Sequence, residues 1–180
     1  MTKERFVLAV DQGTSSSRSI VFDQNGRVIT SHQVNVPTTY VRDGWAEQNP
    51  EDIWNTTIHT MSQALRTVSK LGGVVAAIGI ANQRETTLVW DRDTGSPAYK
   101  AILWHDRRTN EMCQRLIAEG QEHLIQKKTG LLLDPYFSAT KLCWMLDNLS
   151  GLRSKAEKGN ILFGTVDSFL LWRLTGGAIH

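Results

Sequence analysis

The stretch FVLAVDQGTSSSRSIVFDQNG, Phe6 to Gly26, decides how this chain folds. An apolar run stops at a lone acid, Asp11, passes Gly13 and four consecutive hydroxyl residues, meets Arg18 and turns apolar again. Branched and aromatic residues on both sides of the turn read as two strands, and RVITSHQVNV, residues 27–36, alternates as a third. Asn25 and Gly26 form the residue pair that a two-residue hairpin turn prefers. The expectation is an antiparallel meander.

The first turn offers its own chemistry. Glycine lets backbone amides approach a ligand closely, and hydroxyls add donors, so Thr14, Ser15 and Ser16 can solvate phosphate oxygens. Asp11 at a strand end can hold magnesium directly or through water, and Arg18 can place positive charge on a phosphoryl group in transfer. The segment is not a Walker loop, because no Gly-Lys-Ser/Thr follows and a strand rather than a helix comes next. A phosphate-gripping hairpin turn would instead resemble the arrangement of actin-like nucleotide-binding domains. By itself, such a turn is more often a plain solvated connection.

Outward from the meander, a helix is expected from Asn49. Asn49 can cap it, Pro50 suits the first helical position, and Glu51 and Asp52 complement the positive end of the dipole. Trp54, Ile58, Met61, Leu65 and Val68 step along one face, and Gly72 with Gly73 ends the segment. VVAAIGIA, residues 74–81, reads as a fully buried strand, followed by the polar tip NQRE, a strand TTLVWD, a turn at RDTG and another strand near YKAILW. Met112 and Leu116 mark a helix ended by Gly120. Leu142, Met145, Leu146 and Leu149 mark another, after the cap candidate Ser138. A short strand ILF and a helix DSFLLWRL lead to TGGAIH, residues 175–180, which reads as a turn and the start of a further strand in a chain that looks cut. Strands ahead of helices, with one strand-helix-strand unit, predict an α/β layer on a mixed sheet.

A second constellation lies at the NQRE tip. Arg84 and Glu85, adjacent at a strand boundary, can present one donor fork and one acceptor carboxylate, which suits vicinal hydroxyl groups. Trp104, at the end of a strand, can lay its ring against the carbon side of a small polyol, and Tyr136 carries a phenolic donor. Each alone favours an ordinary structural role: an exposed ion pair, a core aromatic, a satisfied surface hydroxyl.

The bulk numbers bound the rest. A chain of 180 residues buries roughly 70% of the surface its unfolded form exposes, so one domain is the default. Hydrophobic residues make up 41% and charged residues 21%, which excludes disorder as a class. The net charge of +2 comes from interspersed signs with no basic stripe, which argues against nucleic acid as a partner. No apolar run reaches the roughly 18 residues that span a bilayer, and the five-residue apolar stretch near the amino terminus is too short for a signal peptide. A cytoplasmic protein is expected, without membrane contact. Cys113 and Cys143 form no metal-spaced cluster and read as packed thiols.

Taken together, DQGTSSSR, NQRETTLVWDRDTG, LWHDRRT, TGLLLDPYFSATK and LFGTVDSFLLWRLTGG follow the order and approximate spacing seen in the FGGY carbohydrate kinase family. The resemblance covers practically the whole chain and is strongest to members acting on glycerol. It implies an actin-like, ribonuclease H-like α/β fold, with residues 1–180 as the amino-terminal kinase domain of a longer protein. It implies ATP and Mg2+ as cofactors and transfer of the terminal phosphoryl of ATP to glycerol, giving sn-glycerol 3-phosphate and ADP. Arg84, Glu85 and Tyr136 then hold glycerol oxygens and Trp104 packs its carbons. Thr14, Ser15 and Ser16 bind nucleotide phosphates with Arg18 alongside, and Asp11 sits near the metal. The catalytic base and most of the adenine pocket belong to a carboxy-terminal kinase domain that these residues lack, so the fragment alone is expected to be inactive. The full-length protein could form a homo-oligomer. Two departures are visible: Ser15 stands where the family more often has threonine, and His105 where many relatives carry glutamine, a histidine expected to have its hydrogen bonds satisfied. The alternatives are a non-catalytic binding module of the same fold, or a kinase for another polyol or sugar.

Overall fold

A computed structural model describes residues 3–180. In chain order the elements are β1 (Arg5–Gln12), β2 (Ser16–Phe22), β3 (Val28–Asn35), β4 (Thr39–Arg42), β5 (Trp45–Gln48), α1 (Pro50–Lys70), β6 (Val74–Asn82), β7 (Leu88–Asp91), β8 (Ala101–Ile102), α2 (Asn110–Ala118), α3 (Glu122–Thr129), α4 (Ser138–Asn148), α5 (Leu152–Glu157), β9 (Ile161–Gly164) and α6 (Val166–Leu174). They fall into two compact units, one comprising the chain up to Thr38 with Asn49–Gln83, the other Thr39–Gln48 with Arg84–His180.

The first unit is a four-stranded mixed sheet in the order β3-β2-β1-β6. The meander is antiparallel as expected, and β6 returns parallel to β1 after the α1 crossover. The β2–β3 connection differs from the two-residue turn. Asp23 opens a wider turn in which Gly26 donates to the Asp23 carbonyl and the Asp23 carboxylate accepts from the Asn25 and Arg27 amides. Only Gly26 takes the left-handed conformation, φ 76°, so Asn25 never adopts the pair geometry that a tight primed turn needs.

Helix α1 starts as its sequence dictates, with Asn49 capping the Glu51 amide. Its buried face overlaps the expected one only in part: Met61 and Val68 are buried, but Trp54 and Ile58 are half-buried. Ile53, Thr57, Thr60, Met61, Ala64 and Val68 are buried, while Leu65 is exposed. The reason lies across the interface, where β2 presents Ser17 and Ser19. Ser17 Oγ lies 2.8 Å from Thr56 Oγ1, and Ser19 Oγ 2.9 Å from Thr60 Oγ1. Paired hydroxyls satisfy one another inside the layer, which rotates the helix away from a purely apolar contact. Phe6, Leu8, Val10 and Val21 supply the apolar part from the sheet, each worth about 1.5 to 3 kcal/mol when fully buried.

Strand β6 also departs from expectation. It is an edge strand, largely exposed along its length, with Ile78 48% accessible. Composition alone cannot distinguish a buried central strand from an apolar edge.

The second unit holds β4-β5-β8 and the antiparallel pair β7-β9, with the remaining helices around them. Strand β8 is only two residues long, shorter than YKAILW suggests. Val89, Ile102, Met145 and Leu152 form a core against which Tyr99, Leu142, Trp144 and Ile161 pack. A buried polar column stands beside it. The Arg108 guanidinium lies 3.9 Å over the Trp45 ring, with Trp144 at 4.7 Å, and pairs at 2.8 Å with both Glu47 and Asp106. Asp106 also accepts from the Ala46 amide, which ties β5 to the segment after β8.

The hairpin β4–β5 and helices α3 and α5 have no apolar periodicity to announce them, and α3 buries no residue at all. Ser138 is the first residue of α4 rather than its cap. Residues 178–180 form no strand. Cys113 is buried as expected, whereas Cys143 is exposed.

Candidate active site

In the first unit, only residues 13–15 separate β1 from β2. The Gly13 amide donates to the Ser16 carbonyl at 2.9 Å, and the Val36 amide to the Ser15 carbonyl at 2.9 Å, fixing the turn against the start of the next segment. Strand register pairs Asp11 with Arg18 and Arg18 with Gln33. Directly opposed residues of a sheet share a face, so the acid and the arginine stand together, opposite to the face that α1 covers. Ser15 is exposed, Thr14 and Ser16 half-buried.

Three glutamines that sequence reading passed over hold this turn. The Gln33 side-chain oxygen accepts from Arg18 Nε at 3.0 Å and Nη2 at 2.7 Å, while its amide donates to Ser16 Oγ at 3.0 Å. Arg18 is therefore oriented before any ligand arrives. Beneath the turn, the buried Gln12 donates to the Gly13 carbonyl, and Gln83, buried at the end of β6, donates to the Gln12 side-chain oxygen at 3.2 Å. The Gln83 amide also meets the Gln12 carbonyl at 2.7 Å. A period-2 pattern of polar residues on an otherwise apolar face was the available signal: Gln12 follows Leu8 and Val10 in register.

In the second unit the structure brings Glu85, Trp104 and Tyr136 together. Glu85 has φ 61°, left-handed backbone for a residue that is not glycine, a conformation costing roughly 1 to 2 kcal/mol. Its carboxylate Oε2 accepts from the Ser138 amide at 3.0 Å and from the Ser138 hydroxyl at 2.7 Å. An acid 53 residues upstream thus caps α4, where Phe137 supplies no side-chain cap. Negative charge at a helix start is favourable, and the unpaired amides there need acceptors. The Lys141 ammonium, fully buried, donates to the Glu85 carbonyl at 3.0 Å and to the Tyr136 carbonyl.

The Trp104 and Tyr136 rings meet edge to face at 6.1 Å, and Tyr136 turns against Phe137 at 5.1 Å. Trp104 is 38% exposed, and its amide donates to Thr86 Oγ1, two positions past Arg84. This makes it a presented ring rather than a core one. Arg84 is exposed. His105 departs from expectation: its ring packs against Trp104 at 4.9 Å, but Nδ1 is buried without a hydrogen-bond partner. Burial, reinforced by the Lys141 charge and opposed by Asp106, pushes its pKa below the usual range. Among the described residues no three acidic, histidine or cysteine side chains gather as a metal cluster. Asp11 belongs to no such group.

One unit therefore holds a hydroxyl-lined turn with an oriented arginine, and the other a clamped carboxylate and a pair of packed aromatic rings. The model of the FGGY family of carbohydrate kinases, N-terminal domain, matches residues 6–180, and the chain belongs to that family. Its fold is accordingly the actin-like α/β fold. Among individual proteins, it is 56% identical over 174 residues to the glycerol kinase of Rhodospirillum centenum, covering 97% of this chain and 35% of that protein. The glycerol kinase of Nitrosomonas eutropha is 50% identical over 180 residues, 100% of this chain and 36% of that one. The crystal structure of Plasmodium falciparum glycerol kinase with ADP superposes with a TM-score of 0.93 at 31% identity, over 99% of this chain and 36% of that one. Gluconate kinase from Lactobacillus acidophilus, at 21% identity and a TM-score of 0.83, shares the fold. The chain thus spans about a third of the length of the relatives it matches.

Proposed function

We propose that these residues are the amino-terminal part of a glycerol kinase, which transfers the terminal phosphoryl of ATP to a primary hydroxyl of glycerol and yields sn-glycerol 3-phosphate. The observation that carries the reading is the Glu85 carboxylate, fixed by Ser138 and set beside the Trp104–Tyr136 aromatic corner. A small polyol needs ionic acceptors for its hydroxyls and an apolar wall for its carbons, and this cluster offers both. Arg84 and Glu85 bind glycerol oxygens, Tyr136 donates to one, and Trp104 covers the carbon chain.

In the other unit, Thr14, Ser15 and Ser16 with the turn's backbone receive the nucleotide phosphates, and Arg18, steadied by Gln33, balances their charge. A lone carboxylate suits magnesium, which keeps several waters and takes one or two protein carboxylates together with substrate phosphates. Asp11 would hold it, and the ion would offset charge on the phosphates. A carboxy-terminal kinase domain supplies the proton acceptor for the glycerol hydroxyl and most of the adenine contacts, so residues 1–180 alone do not turn over. No helix among the described residues is long and apolar enough to cross a membrane, and a cytoplasmic enzyme fits that.

A coupled assay of the full-length protein with glycerol, xylulose and gluconate tests the assignment. ATP-dependent phosphorylation preferring glycerol is expected. A preference for either of the others would reassign the substrate, and turnover by residues 1–180 alone would overturn the need for a second domain.

A further inference from the structure

We propose that Lys141 is a positioning residue for glycerol recognition, its buried ammonium tying the backbone of Glu85 to the backbone of Tyr136. The proposal rests on the glycerol reading above and adds to it a residue that touches no substrate.

Three observations carry it. A lysine is almost never fully buried unless its charge is engaged, and Lys141 is 0% exposed. Its ammonium is spent on two backbone carbonyls, and both belong to residues of the polyol cluster: Glu85 at 3.0 Å, and Tyr136. The first of these residues is strained. Left-handed backbone at a non-glycine position persists only where surrounding groups over-determine it, and two of the groups that do so here come from one turn of α4. Ser138 grips the Glu85 carboxylate and Lys141, three residues on, grips its carbonyl. Thr87 Oγ1 is a second donor to that carbonyl, at 3.2 Å.

Residues three apart on a helix share a face, so Ser138 and Lys141 act as a two-point clamp. Because Lys141 also reaches back to the Tyr136 carbonyl, the segment before α4 cannot drift without moving Glu85. A purely structural lysine could have used any carbonyl of the core. These two carbonyls belong to the carboxylate and the phenol that have to converge on a molecule three carbons long.

Lys141→Met preserves length and apolar bulk while removing the ammonium that joins the two carbonyls, the Glu85 carbonyl keeping only Thr87 Oγ1. In the full-length protein the expected result is a glycerol KM raised at least tenfold, with the ATP KM within twofold of the parent. Lys141→Gln, which keeps a neutral donor, is expected to recover part of the glycerol KM. Should the methionine variant fail to fold, the glutamine variant decides by the same split between the two KM values. An unchanged glycerol KM, or equal rises for both substrates, overturns the positioning role while the glycerol reading stands. A parent protein inactive on glycerol overturns that reading, and this proposal with it.

Discussion

Gln83 and Gln12, 71 residues apart, are joined by a buried side-chain hydrogen bond of 3.2 Å beneath the turn that carries Thr14, Ser15 and Ser16. A buried amide that loses its partner costs about 1 to 3 kcal/mol, whereas removing both partners together costs less than the sum. Gln83→Leu is expected to destabilise by about that amount, and Gln12→Leu in the same protein to recover part of it. Urea unfolding of the single and double variants measures this, and strictly additive losses would mean that the bond carries no coupling.

Arg84 and Asp11 should fail differently. In the full-length protein, Arg84→Ala removes a charge-assisted donor and is expected to raise the glycerol KM about ten- to a hundredfold, with the ATP KM little changed. Asp11→Asn is expected to lower magnesium-dependent kcat and leave glycerol binding nearly intact. Steady-state kinetics at several magnesium concentrations separates the two, and a shared phenotype would contradict the assigned roles.

The hydroxyl seam between β2 and α1 can be tested as a cycle. Ser19→Ala strands the Thr60 hydroxyl, 2.9 Å away in the parent, inside a buried layer, although Thr60 keeps its bond to the Thr57 carbonyl. A loss of about 1 kcal/mol is expected. Adding Thr60→Val should cost less than it does in the parent, a coupling that chemical denaturation resolves.

Two glycines of the same backbone hand should tolerate alanine unequally. Gly120 has φ 76° with open space where a Cβ would go, so Gly120→Ala should cost about 1 kcal/mol from backbone strain alone. Gly95 has φ 71°, and a Cβ there would lie 2.4 Å from the Trp172 ring. Gly95→Ala should therefore lose roughly 1 to 3 kcal/mol more. Thermal melts of both variants decide it, and equal melting shifts would show that Trp172 yields freely.

Burial lowers the Lys141 pKa from its ordinary 10.5 to about 8, against the opposing pull of Glu85, Asp106, Asp134 and Cys113. Between these two pH values the unfolded chain holds a proton that the folded chain has released, so folding stability rises with pH across that window and is flat on either side of it. Lys141→Met should remove this rise. Urea unfolding at pH 7.5, 9 and 10.5 on both proteins reads the difference, with Cys113 and Tyr99, whose pKa values burial raises, common to both. Identical slopes would mean that Lys141 does not titrate in that range.

The meander, the α1 cap and the strand-helix-strand crossover were legible because each rests on a local signal: an apolar run, an Asn-Pro pair, a glycine stop. The α1 face was legible only in part because Ser17, the last residue of the hydroxyl run, and Ser19, just past Arg18, turn inward to Thr56, Thr57 and Thr60. Helix α3 buries nothing and so left no periodic trace. In the cluster proposed for the polyol, Glu85, Trp104 and Tyr136 stood out by residue type. The left-handed backbone of Glu85 and its two anchors on α4 were invisible, because they depend on residues 53 and 56 positions away meeting it in space.

The cap that Glu85 supplies to α4 leaves this acid serving two masters. One carboxylate oxygen is already committed to Ser138, so only the other is free to turn toward a substrate, and the charge that would attract a hydroxyl proton also steadies a helix. Glu85→Asp, one methylene shorter, would have to abandon one duty to keep the other. Any variant at this position therefore alters the scaffold together with the proposed ligand contact in a single stroke.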